Sequence, residues 1–86
     1  MYKIYEVENH NFYIKYDLVD SDYIPHITYR HFILPEDAIK TYFNITKQRY
    51  NEDNKRYEAY SKDTGITIYY TFKHNKKDEI LIITAF

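Results

Sequence analysis

The chain has 86 residues and no cysteine, which leaves room for one hydrophobic core and excludes both a disulfide framework and a thiolate metal site. Its net charge is −1, with 44% hydrophobic and 29% charged residues, a globular composition that lacks the basic footprint usual in nucleic-acid binders. Twelve Tyr and five Phe make 20% of the chain aromatic, more than so small a core can bury with every hydroxyl satisfied, so several rings must face outward.

Residues 2–7 and 12–18 are predicted to form a hairpin. Phe12, Ile14, Tyr16 and Leu18 alternate with Tyr13, Lys15 and Asp17, the period of a half-buried strand. The turn formers Glu8-Asn9-His10-Asn11 connect the two strands. Asp17 to Asp22 reads as a solvated acidic loop, with too few oxygen ligands for a metal ion.

Pro35 opens the clearest helix. Proline suits the first helical position, and Glu36 and Asp37 place negative charge where the helix dipole favours it. Ala38, Ile39, Tyr42, Phe43 and Thr46 share one face, Lys47 and Arg49 suit the C-terminal end, and Asn51 to Lys55 follow as a polar loop. Three strands then close the chain. Residues 56–60 lead to a turn at Ser61–Gly65, whose glycine is the only one and the expected left-handed residue. Ile66 to Phe72 alternate; after a turn at 74–78, Ile80 to Ile83 are apolar on both faces, which predicts a central strand.

The expected fold class is therefore α+β: an antiparallel sheet of about five strands with one main helix, order β-β-α-β-β-β, in a single domain spanning 1–86. One helix covers one face. Tyr13, Thr67, Tyr69 and Thr71 fall on the other, as a stacking platform or a protein-interaction surface. No apolar run reaches the length of a membrane span and Met1 to Glu6 do not read as a signal peptide, so no membrane partner is expected and the location is read as cytoplasmic. Nine Lys against three Arg, with abundant Ile, Asn and Tyr, fit an AT-rich genome such as that of a low-GC bacterium or its phage.

Chemistry-bearing motifs are sparse. With one glycine there is no P-loop, no other Gly-rich nucleotide motif and no nucleophile elbow. His10 and His74 fall in predicted turns. His26 and His31 are five apart with no carboxylate at ligand spacing, so no metal site and no cofactor is expected. Arg30, Arg49 and Arg56 could converge on a phosphate, although solvated surface is the commoner fate of such residues.

Arg30-His31-Phe32-Ile33-Leu34-Pro35-Glu36-Asp37-Ala38 resembles the lysine-histidine-glycine-valine, then glutamate-glutamate-alanine, stretch of BrnT toxins. Arg56 to Tyr60, Gly65 and Ile80 to Phe86 run against the arginine–aromatic strand, glycine turn and closing strand of that family. The resemblance covers residues 30–86 and implies a RelE-like ribonuclease that cleaves RNA without metal through its 2′-hydroxyl. The matching positions are Arg30, His31, Arg56 and Thr84: His31 as acid–base group, the arginines as phosphate clamps, Thr84 for positioning. Two arginines of the family's closing strand stand here as Leu81 and Phe86, and the glycine after the histidine is Phe32.

Two functions are thus expected. One is a toxin-type endoribonuclease with RNA as substrate and an antitoxin as partner. The other is a non-enzymatic inhibitor or immunity-type protein of a phage or mobile element, anti-CRISPR or anti-restriction-like, binding a host target protein through Tyr13 and Tyr69. The missing arginines and surplus Tyr favour the second and the motif order the first. The oligomeric state is left open.

Overall fold

Strand alternation sorts Phe12, Ile14, Ile68, Tyr70, Ile80 and Ile82 onto one buried sheet face, and a computed structural model describes the result over residues 1–86. Strands β1 (Tyr2–Val7) and β2 (His10–Val19) form a hairpin in register Tyr5 opposite Phe12. Its two-residue turn, Glu8-Asn9, has both φ angles positive, 50° and 62°, as a right-twisted hairpin requires. A second tight turn at Asp20-Ser21 leads into β3 (Asp22–Pro25), which pairs back on β2. The expected acidic loop is therefore a hairpin, and Asp17 is a strand residue facing Ile24.

A helix of six residues, α1 (His26–His31), follows; it has no side-chain N-cap and buries only Ile27. It was not legible from periodicity, because one apolar contact in six residues sets no period. Helix α2 begins at Pro35, as expected, with Glu36 and Asp37 in its first turn. It ends at Phe43 rather than continuing through Lys47 and Arg49. Asn44 closes it, bonding Thr41 O through its backbone and Lys40 O through its amide. Thr46 then bonds Tyr60 O through both N–H and hydroxyl, which turns the chain into β4 (Lys47–Asn51).

β5 (Arg56–Ser61), β6 (Ile66–Phe72) and β7 (Glu79–Ala85) complete a mixed sheet of seven strands, where about five antiparallel ones were expected. The order is β1-β2-β7-β6-β5-β4, with β3 joined to β2 alone. β7 is central, as its two-sided apolar pattern predicts, but it runs parallel to β2, placing Phe12 beside Ile80 and Ile14 beside Ile82. Gly65 takes φ +71° in the turn before β6.

The core lies between the sheet and the two helices: Phe12, Ile14, Ile68, Tyr70, Ile80 and Ile82 from the strands, Ile27 from α1, Ala38 and Ile39 from α2. Polar groups enter it only with partners. The Thr41 hydroxyl bonds Asp37 O and the Thr64 hydroxyl, tying α2 to the β5–β6 turn. The Tyr70 hydroxyl donates to Gln48 of β4.

One irregularity decides which side chains reach the opposite face. Tyr69 pairs with Thr84 and Tyr70 with Ile82, so Ile83 is an extra residue in β7. Such a bulge shifts the alternation by one. Ile80, Ile82 and Ala85 therefore point into the core, and Thr84 turns outward with Phe86 after it. No helix of the chain is long and apolar enough to cross a membrane.

Candidate functional site

Helix α2 packs on the core side over β5 and β6, and the short α1 lies beside β2 and β7, so the other face of β4 to β6 has no helical cover. Cross-strand register sets Tyr13 beside Leu81 and Leu81 beside Thr71; Thr84 lies beside Tyr69, and Tyr69 beside Glu58. Over β4, β5 and β6 this face curves into an open concavity of about 590 Å³, walled by Lys47, Arg49, Glu58, Tyr60, Tyr69 and Phe86.

An arginine lies on one of the rings that wall it. The Arg56 guanidinium lies 4.2 Å from the Tyr69 ring centroid, a cation–π distance, and Phe86 meets Tyr69 edge to face at 5.2 Å. Glu58 is the one carboxylate of the concavity. Arg49 bonds it at 2.8 Å, Asn51 at 3.1 Å and Arg56 at 3.0 Å. These contacts, the Arg49 bond foremost, hold its carboxyl below the usual glutamate range. Lys47 has no ion-pair partner.

At the other end of the same face Tyr13 donates its hydroxyl to Glu79 at 2.7 Å, and Asn11 donates to the second carboxylate oxygen at 2.6 Å. Glu79 is lowered by these bonds, while the same bond raises the Tyr13 phenol. Lys73 sits 4.3 Å from the Tyr13 ring and 5.8 Å from Tyr2. The acids on these two clusters are thus consumed internally, whereas the lysines remain free to meet an anion.

The residues named from sequence fall into three places. Arg56, Thr84 and Tyr69 meet on the open face, Thr84 there only because of the bulge. His31 stands at the edge of this group, its ring 6.1 Å from that of Phe86, and has no hydrogen-bond partner to fix it. Arg30 makes no hydrogen bond or ion pair with these residues and instead acts through its charge on the Asp17 carboxylate. Tyr13 belongs to the separate cluster with Glu79. Phe86, Lys47 and Glu58 are additions: in the sequence Phe86 reads only as a missing arginine, and Lys47 as the end of a helix. No group of His, Asp and Glu side chains is arranged to hold a metal ion.

Compared with protein-family models, curated proteins and solved structures, the chain matches none.

Proposed function

We propose that the uncovered sheet face binds single-stranded RNA, and that the chain is a metal-free, toxin-type endoribonuclease acting in the cytoplasm under the control of an antitoxin. The observation that carries this reading is the Tyr69–Phe86 pair walling an open concavity together with the unpaired Lys47, with Arg56 lying on the Tyr69 ring. Single-strand recognition pairs aromatic rings with cations: a base stacked on an aromatic gains about 1–3 kcal/mol, and lysine and arginine meet the phosphates between; here Phe86 is the exposed ring and Tyr69 is half-buried. Thr84 adds a hydroxyl within the same strip. Acid–base chemistry falls to the α1 histidines at its margin, of which the resemblance names His31. The Schellman geometry at Phe32, where the compared motif has glycine, also suits the alignment from which these roles come.

Incubating the purified protein with single-stranded and ribosome-bound RNA in excess chelator tests this. Cleavage that persists without metal and is lost in Arg56→Gln supports the reading; intact RNA in both contexts, with normal growth on expression, refutes it.

One feature favours the inhibitor reading as well. Phe32 is 89% exposed, with exposed Tyr29 and Leu34 close by in sequence, and large rings held in solvent are protein-contact chemistry. On that reading the α1–α2 connection, more than Tyr13 or Tyr69, supplies the contact. A stoichiometric host protein whose capture depends on Phe32 would select it.

A further inference from the structure

We infer that Asp17 and His26 form the acid–base dyad of the cleavage reaction, with Arg30 and Lys15 placed to meet the scissile phosphate; the inference rests on the RNA reading above. His26 opens α1, and its Nδ1 lies 2.5 Å from Asp17 Oδ2 on β2. The side chains are 29% and 26% exposed, so the pair is mostly sheltered yet reachable. An ionised carboxylate only accepts, so Nδ1 carries the proton of this bond and the Nε2 lone pair is left for chemistry. Nε2 has no partner within the chain. No buried side-chain polar atom is left unpaired, so Nε2 opens to solvent.

His31 has no comparable support: its ring is exposed and touches Phe86 without a hydrogen bond to orient it. A general base must be held in one tautomer and one direction, and among the chain's four histidines only His26 has a carboxylate to do this.

The surroundings fit phosphate. Arg30 follows His26 by four residues, one helical turn along the same flank of α1. Lys15 precedes Asp17 by two on the same face of β2. Both cations act on the Asp17 carboxylate, whose pKa is lowered first by the His26 bond. Lys15 also follows Ile14, the last β2 residue to pair with β7, so the cluster borders the strip that carries Thr84 and Phe86.

In the reaction, His26 Nε2 removes the 2′-hydroxyl proton. The O2′–P bond forms as the P–O5′ bond breaks, and the proton returns through solvent to O5′. The products are a 2′,3′-cyclic phosphate and a 5′-hydroxyl. Arg30 and Lys15 face the charge that grows on the phosphorane, and Asp17 is a positioning residue.

The test measures cleavage of a short single-stranded RNA in chelator alongside binding by fluorescence anisotropy. His26→Ala and His26→Gln should bind within about threefold of the parent but lose at least about a hundredfold in kcat. Asp17→Asn should lower kcat about tenfold or more at unchanged KM, and Asp17→Glu should recover part of it. Circular dichroism separates these effects from unfolding, and the amide of His26→Gln keeps a donor for Asp17. Cleavage retained by both His26 variants but lost in His31→Ala overturns the dyad and leaves the ribonuclease reading standing. A parent protein that neither binds nor cleaves RNA overturns both.

Discussion

Replacing Phe32 with glycine should stabilise this protein. Phe32 follows α1 at φ 60°, ψ 30°, its N–H bonding Thr28 O while the N–H of Ile33 bonds Ile27 O. That is the Schellman closure, whose left-handed position is ordinarily glycine. A side chain there costs about 1–2 kcal/mol, whereas glycine costs about 0.5–1 kcal/mol through the greater freedom of the unfolded chain. Because the ring is 89% exposed, almost no burial is lost with it. Taking the middle of both ranges, the net gain is about 0.5–1 kcal/mol, and a domain of this size shifts its Tm by roughly 4–8 °C per kcal/mol. Thermal and urea unfolding followed by circular dichroism should thus place Phe32→Gly about 2–8 °C above the parent. An unchanged or lower Tm would mean that the ring packs against the fold or that the backbone carries no strain.

Ile82, 2% exposed at the centre of the sheet, should not tolerate charge: Ile82→Asp buries an unpaired carboxylate and should abolish the cooperative transition. Asp17, Glu58 and Glu79 all titrate below their usual range in the fold, so their contribution is complete above about pH 4.5 and is lost as pH falls through the folded values. Urea midpoints should drop on acidification below about pH 4.5, less steeply in Glu58→Gln. Burial pushes Tyr70 up to about 12, with Tyr5 raised as well, so the unfolded chain gives up these protons first and stability should fall as pH rises above 10. Tyr70→Phe should flatten that alkaline loss.

Whatever rests on local pattern was legible in the sequence. The alternation of Phe12, Ile14 and Tyr16 placed the hairpin, Pro35 with Glu36 and Asp37 placed the start of α2, and Ile80 to Ile83 marked a central strand. The misses depend on partners distant in the chain. Lys47 to Asn51 are polar and continue a helical pattern; they become a strand because Thr46 and β5 capture them, with Arg49 bonded to Glu58. The parallel contact of β2 with β7 joins segments some seventy residues apart, which no window of alternation reports. The candidate site divides in the same way. Arg56 and Tyr69 lie on the face their strand parity implies, but Thr84 and Phe86 reach it only through the bulge at Ile83. The pairing of Asp17 with His26 is hidden because Asp17 reads as the junction of a strand and an acidic loop, and α1 has no signature.

The most direct measurement is the affinity of the protein for a short single-stranded RNA across a salt series, in the parent and in Tyr69→Ala and Phe86→Ala. Binding through the uncovered face predicts a log–log salt slope of about −0.7 for each phosphate neutralised, and a loss of about 1–3 kcal/mol, roughly five- to 150-fold, for each ring removed. No binding at low salt, or variants that bind as tightly as the parent, would contradict the account.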